Sequence, residues 1–176
     1  KAKPYLIDKI KSEKVVALIL GGPNKYYSFD KDQLIKIFNE IKSNFISNGY
    51  KAIVIPSIRT PKASIELATK EMNECGHVVN SVDKQAYLSA LALANNIVVT
   101  CDSISMISEA AISGKPIYVA HMKPKRNNYR FKKFYQLFEK LGITRNLGDK
   151  VESWTYDSLN EAERVAALIN QKIILQ

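Results

Sequence analysis

A chain of 176 residues with 46% hydrophobic and 24% charged side chains has the size and composition of one soluble α/β-sized domain, which excludes a disordered or fibrous polypeptide. At this length a domain buries roughly 70% of the surface its unfolded chain exposes. Stability therefore needs neither disulfides nor a structural metal, and Cys75 and Cys101 stand apart with no second Cys or His at ligand spacing. A net charge of +9 and a pI near 9.4 favour anionic partners: nucleotides, phosphosugars, nucleic acid or an acidic membrane surface.

The chain opens on a charged stretch, Lys1-Ala2-Lys3-Pro4 followed by Lys9, Lys11, Glu13 and Lys14. Residues 1–14 read as a linker or a boundary cut inside a longer protein. The first apolar run, Val15 to Leu20, is also the longest; it falls far short of the roughly 20 residues of a membrane span, and no signal-peptide pattern precedes it. With no disulfide framework, the expected compartment is the reducing cytoplasm.

Val15–Leu20 ends at Gly21-Gly22-Pro23, and its continuous apolar character marks a buried parallel strand. Leu34, Ile35, Phe38, Ile41 and Phe45 then keep helical spacing, with Asp30 and Gln33 placed as a capping box and Gly49 as the stop. A second strand, Ala52–Ile55, ends at Pro56-Ser57. Thr60-Pro61 reads as an N-cap followed by proline at the first helical position, opening a helix that runs to Asn73. His77–Val79 is a third strand, Tyr87–Ala94 a third helix, and Ile97–Thr100 a fourth strand. Ile104–Ile112 is a helix stopped by Gly114, and Ile117–Ala120 a fifth strand. Right-handed crossovers then predict an α/β fold, a doubly wound, mostly parallel, Rossmann-like sheet of five to six strands in the order 3-2-1-4-5. Phe131, Phe134, Tyr135, Phe138 and Leu141 form a helical stripe ending near Gly142. Ser158 with Glu161 caps a last helix carrying Val165, Leu168 and Ile169. A single domain over 15–176 accounts for the pattern.

In an open parallel sheet, ligands bind beyond the carboxyl ends of the strands where strand order reverses. The residues there are small and polar: Gly21 and Gly22 after the first strand, Ser57, Arg59 and Thr60 after the second, Asp102, Ser103, Ser105 and Met106 after the fourth. The turn from Asp102 to Met106 opens a helix whose free amides and dipole suit an anion. Glycine lets a ligand approach the backbone, and Arg59 offers a planar fork for phosphate oxygens. Together they predict a diphosphate site, and Glu109, one turn or more inside the helix, is placed to accept hydrogen bonds from a ribose diol. No catalytic acid/base pair and no metal site are assigned.

Each feature has a plainer reading: Gly-Gly-Pro as a turn, serines as helix caps, Arg59 as a solvated charge, Glu109 as an exposed helix residue. Their convergence on one edge favours the site. There is no G-x-G-x-x-G and no P-loop, and His77 and His121 are isolated. Lys123, Lys125, Arg126, Arg130, Lys132 and Lys133 surround Tyr129, Phe131 and Phe134, a composition that suits an anionic bilayer or nucleic acid; the plainer reading is a helix with an aromatic core stripe and a wet basic face.

Gly21-Gly22-Pro23-Asn24-Lys25-Tyr26-Tyr27, Pro56-Ser57-Ile58-Arg59-Thr60-Pro61, the run from Thr100 to Ala110, and Gly114-Lys115-Pro116 resemble the carboxyl-terminal half of the mitochondrial-fission "elongated mitochondria" family. Its bacterial members are labelled predicted nucleoside-diphosphate-sugar epimerases. Arg130-Phe131 and Leu141-Gly142 through Arg145 resemble a later motif of the same family. More distantly, the Ser-Glu-Ala and Gly-x-Pro pattern is similar to that of B-type glycosyltransferases and nucleotide-sugar epimerases. The resemblance implies a GT-B-like domain with Glu109 on ribose and Ser103, Ser105 and Met106 on the phosphate side. Where the family shows a second basic residue beside the arginine, this chain has Ile58.

The expected function is the nucleotide-sugar donor half of a GT-B glycosyltransferase. The resemblance implies a missing amino-terminal domain that brings the catalytic base, so this chain alone turns over little or nothing. The alternatives are a non-enzymatic recruiter and, third, a nucleoside-diphosphate-sugar epimerase. No cofactor is called for beyond the nucleotide sugar as ligand. An anionic membrane surface is a second candidate partner, and nucleic acid ranks below both.

Overall fold

Five apolar runs and one polar tripeptide line up as a six-stranded, all-parallel sheet in the order β3-β2-β1-β4-β5-β6. The computed structural model describes residues 5–148 and 150–159. The strands are β1 (Val15–Leu20), β2 (Lys51–Pro56), β3 (Gly76–Val78), β4 (Asn96–Thr100), β5 (Ile117–Ala120) and β6 (Thr144–Asn146). The helices are α1 (Lys31–Asn44), α2 (Lys62–Met72), α3 (Lys84–Leu93), α4 (Ile104–Ala111) and α5 (Tyr129–Lys140). Every residue of β1 and β4 is buried, because helices cover both faces of the sheet centre. The expected order 3-2-1-4-5 is present and is extended at one edge by β6.

Strand β6 was not legible as a strand. Thr144-Arg145-Asn146 has no apolar run and only Thr144 is buried; pairing with β5 makes it extended. The core runs through the sheet centre, with Phe38, Ile41, Ile53, Ile97 and Ile107 fully enclosed. Leu6 and Ile10, from the stretch read as a linker, also join it.

Several helix ends differ from expectation. Asp30 is the N-cap of α1 but makes no side-chain bond to the helix backbone; its carboxylate instead accepts hydrogen bonds from Ser28 Oγ and from Gln33 Nε2 at 3.0 Å, so the reciprocal capping box does not form. Helix α1 ends at Asn44, and a short 3-10 turn carries the chain to Gly49, whose φ of 84° makes the reversal. Pro61 rather than Thr60 caps α2, which starts one residue later than expected. Helix α3 begins at Lys84 because Asp83 Oδ1 accepts from the Gln85 and Ala86 amides at 2.8 and 3.0 Å. Gly142, with φ 70°, follows the end of α5 as expected. The last helix expected from Ser158 and Glu161 lies largely outside the described residues, which end at Leu159.

Candidate functional site

Parallel registration ends β1, β2 and β4 at one level. Leu20 pairs with Pro56, and Ile19 with Val99, so Gly21, Ser57 and Cys101 emerge side by side where the strand order reverses. The loops that follow are tied to one another. Ser57 donates its N–H to Leu20 O at 2.9 Å, Gly21 N–H donates to Thr100 Oγ1 at 2.8 Å, and Asn24 Nδ2 donates to Asp102 O at 3.1 Å.

Arg59 and Asp102 form the centre of this crevice. Arg59 Nη2 lies 3.0 Å from Asp102 Oδ2, Arg59 Nη1 donates to Gly22 O at 3.0 Å, and Gly22 N–H donates to the same Asp102 oxygen at 2.8 Å. The Asp102 side chain is fully buried, whereas the Arg59 side chain remains 37% exposed. Asp102 Oδ1 has no hydrogen-bond partner among the described residues. Burial pushes the Asp102 pKa up, against the opposing pull of the Gly22 N–H, the Thr100 side chain and the Arg59 charge.

This closeness explains the glycines. A Cβ on Gly21 would stand 2.0 Å from Asp102 Oδ2, and one on Gly22 2.0 Å from Arg59 O. The Gly-Gly pair thus admits other parts of the protein to the backbone. The Thr60 hydroxyl is likewise engaged internally: it donates to the Leu20 and Gly21 carbonyls and accepts from Ser57 N–H at 2.8 Å. Gly21, Gly22, Thr60 and Asp102 make the floor of the crevice.

Ser103, the N-cap of α4, is buried and makes no side-chain capping bond, whereas Ser105 is exposed and Met106 half-buried. Four residues past Ser105, and so on the same side of α4, Glu109 is exposed and accepts a hydrogen bond from the Tyr87 hydroxyl of α3 at 3.2 Å. Ser57 is half-buried, and Ile58 beside it is 87% exposed on the rim. Sequence reasoning missed Tyr87 and Thr100, whose roles depend on approaches between distant elements that leave no local pattern.

In the basic segment, Tyr135 and Phe138 turn into the core and the cations stay outside. The segment is pinned to the loop after β1 by a bridge between Tyr27 and Pro124, and by Asn128 Nδ2 donating to the Tyr27 hydroxyl at 2.8 Å. Among the described residues, no three His, Cys, Asp or Glu side chains cluster to hold a metal ion, and no helix is long and apolar enough to cross a membrane.

A model of the family described as mitochondrial fission ELM1 matches residues 3–173. An uncharacterized protein of Rickettsia prowazekii (strain Madrid E) is 32% identical over 161 residues, covering 87% of this chain and 45% of that protein. The mitochondrial fission protein ELM1 of Arabidopsis thaliana is 28% identical over 167 residues, covering 90% of this chain and 38% of its own length. The chain therefore spans less than half the length of these curated relatives. Among solved structures, the molybdenum cofactor carrier protein from Chlamydomonas reinhardtii aligns over 93% of this chain and 99% of its own, at 12% identity and a TM-score of 0.48.

Proposed function

The chain belongs to the mitochondrial fission ELM1 family, and from that premise we propose that it is the nucleotide-sugar-binding half of a two-domain glycosyltransferase of the B architecture. The observation that carries the reading is the placement of Glu109 one turn beyond Ser105 on the open side of α4, a helix that starts at the strand-order reversal. Four residues advance about 6 Å along a helix, the scale that separates a nucleotide's phosphates from the diol of its ribose. The free amides at the α4 start and the Ser103 and Ser105 hydroxyls would hold the diphosphate, and Glu109 the ribose hydroxyls.

In this reading the acceptor oxygen bonds to the anomeric carbon as the bond from that carbon to the diphosphate breaks. Charge gathering on the departing diphosphate is met by the α4 dipole and the exposed edge of Arg59. The group that takes the acceptor's proton belongs to the part of the longer relatives that this chain does not span.

Calorimetric titration with UDP, GDP and their sugars tests the proposal. Glu109→Ala should weaken binding by more than about tenfold, with the melting temperature unchanged because Glu109 is exposed. No binding to any nucleotide, by this chain or by the longer protein, overturns it.

A second reading, a non-enzymatic recruiter, draws on a different observation. Arg59 already donates to Asp102 and to Gly22 O, which leaves its fork less available to a diphosphate. The same titration separates the two, since a recruiter needs no nucleotide. A nucleoside-diphosphate-sugar epimerase would need an acid/base pair flanking the sugar.

A further inference from the structure

Helix α5 buries Tyr135 and Phe138, yet its outward side is not simply polar. Tyr129, Lys133 and Leu137 recur every fourth residue, and so share one side of the helix. Tyr129 is 60% and Leu137 52% exposed. Arg130 and Lys140 flank this stripe and are also exposed. From His121 to Phe138 the chain contains no Asp or Glu. None of these cations joins an ion pair among the described residues, whereas lysines on α1 and α2 do.

The loop after β1 extends the patch. Lys125 N–H donates to Tyr26 O at 2.7 Å, and the Tyr26 ring carries Lys25 at 5.0 Å and Arg126 at 5.8 Å from its centroid. Lys133 sits 5.1 Å from the Tyr129 centroid. Cations held against tyrosine rings and not against carboxylates are kept outward with their charge uncompensated.

We infer that the outward side of α5, with Arg126 and Lys25 at its amino-terminal end, docks this protein on the surface of an anionic phospholipid bilayer. Lys and Arg would meet headgroup phosphates while Tyr129 and Leu137 enter the interfacial zone, the distribution of an amphipathic helix lying in the membrane plane. Charge complementarity selects an anionic surface, and the apolar pair selects a bilayer over nucleic acid, for which Leu137 has no use. The inference is independent of the nucleotide-sugar reading.

Co-sedimentation of the full chain with vesicles tests it, using phosphatidylcholine alone and phosphatidylcholine with about one third phosphatidylglycerol. The expected result is binding to the mixed vesicles only, weakened as salt rises past about 0.15 M. Reversing two cations, Arg130→Glu with Lys133→Glu, should lower the partition coefficient by more than about tenfold. Lys36→Glu on α1 should change it far less, which separates the patch from net charge. Leu137→Ser should lower the binding that survives high salt, and a Tyr129→Trp reporter should shift its emission to the blue on vesicles. All these side chains are exposed, so an unchanged melting temperature checks folding. Equal binding to both vesicles, or to neither, overturns the inference. So do tighter binding to duplex nucleic acid with no effect of Leu137→Ser, and a self-association that the charge reversal abolishes without any vesicle binding.

Discussion

The Arg59 guanidinium reaches across from the loop after β2 to place Nη2 3.0 Å from Asp102 Oδ2, beneath the point where strand order reverses. The carboxylate is fully buried and the guanidinium is not, so the two partners are unequal in what their loss does. Arg59→Ala removes the cation that faces this buried carboxylate and leaves it the Gly22 N–H and the Thr100 side chain. The expected loss is about 2 kcal/mol, below the range for fully buried pairs because Arg59 is partly solvated. Urea unfolding at neutral pH measures it, and Arg59→Lys should recover part.

The same pair sets a pH dependence. Burial raises the folded-state pKa of Asp102 above its ordinary value of 3.8. The folded state therefore holds this proton more tightly than the unfolded one. The stabilisation is complete below about pH 4 and is lost as pH rises through the raised value. The stability of the wild type relative to Asp102→Asn should fall as pH is raised from 4 toward neutrality. In Arg59→Ala the fall should be steeper, because no cation opposes burial. A series of urea titrations across that range would show a flat difference if Asp102 were ordinary.

Gly22→Ala should be far more damaging than Gly49→Ala. Its Cβ would meet Arg59 O, a backbone atom, at 2.0 Å, and the β1 and β2 loops would have to part, at an expected cost of about 3 kcal/mol. Gly49→Ala meets nothing within 4 Å and is strained only by its φ of 84°, which costs about 1 kcal/mol. The ranking of the two melting temperatures checks this, since a purely conformational effect would reverse it.

Tyr87→Phe removes the hydroxyl that donates to Glu109. The expected stability change is below about 1 kcal/mol, since Glu109 is exposed and water replaces the bond. If Glu109 holds ribose, nucleotide affinity should fall less than in Glu109→Ala, because Tyr87 positions the carboxylate without touching the ligand. Calorimetry on both variants separates positioning from contact.

Tyr27→Phe leaves the Asn128 amide without its 2.8 Å partner in a buried setting. The expected cost is about 1–2 kcal/mol. Hydrogen exchange should rise first at Lys125, whose N–H bonds to Tyr26 O in the adjoining bridge. An exchange increase spread evenly over the sheet would show that this tether is not local.

Much of this molecule is written in local patterns. Continuous Val and Ile runs bounded by turn residues specify β1, β2, β4 and β5, and the alternation with helical spacing specifies their order, because both depend on near neighbours and on the handedness of crossovers. The same logic placed Gly21, Ser57, Arg59 and Asp102 on one edge. It did not reveal β6, whose Thr144-Arg145-Asn146 becomes extended only because β5 offers a free edge. Nor did it distinguish residues that face a ligand from residues that bind each other. Gly21, Gly22, Thr60 and Asp102 have the composition expected of a phosphate site, and the tertiary structure binds them to one another as the floor of the crevice. Which hydrogen bond a carboxylate makes depends on what arrives within 3 Å from elsewhere in the chain, and no spacing along the sequence encodes that distance.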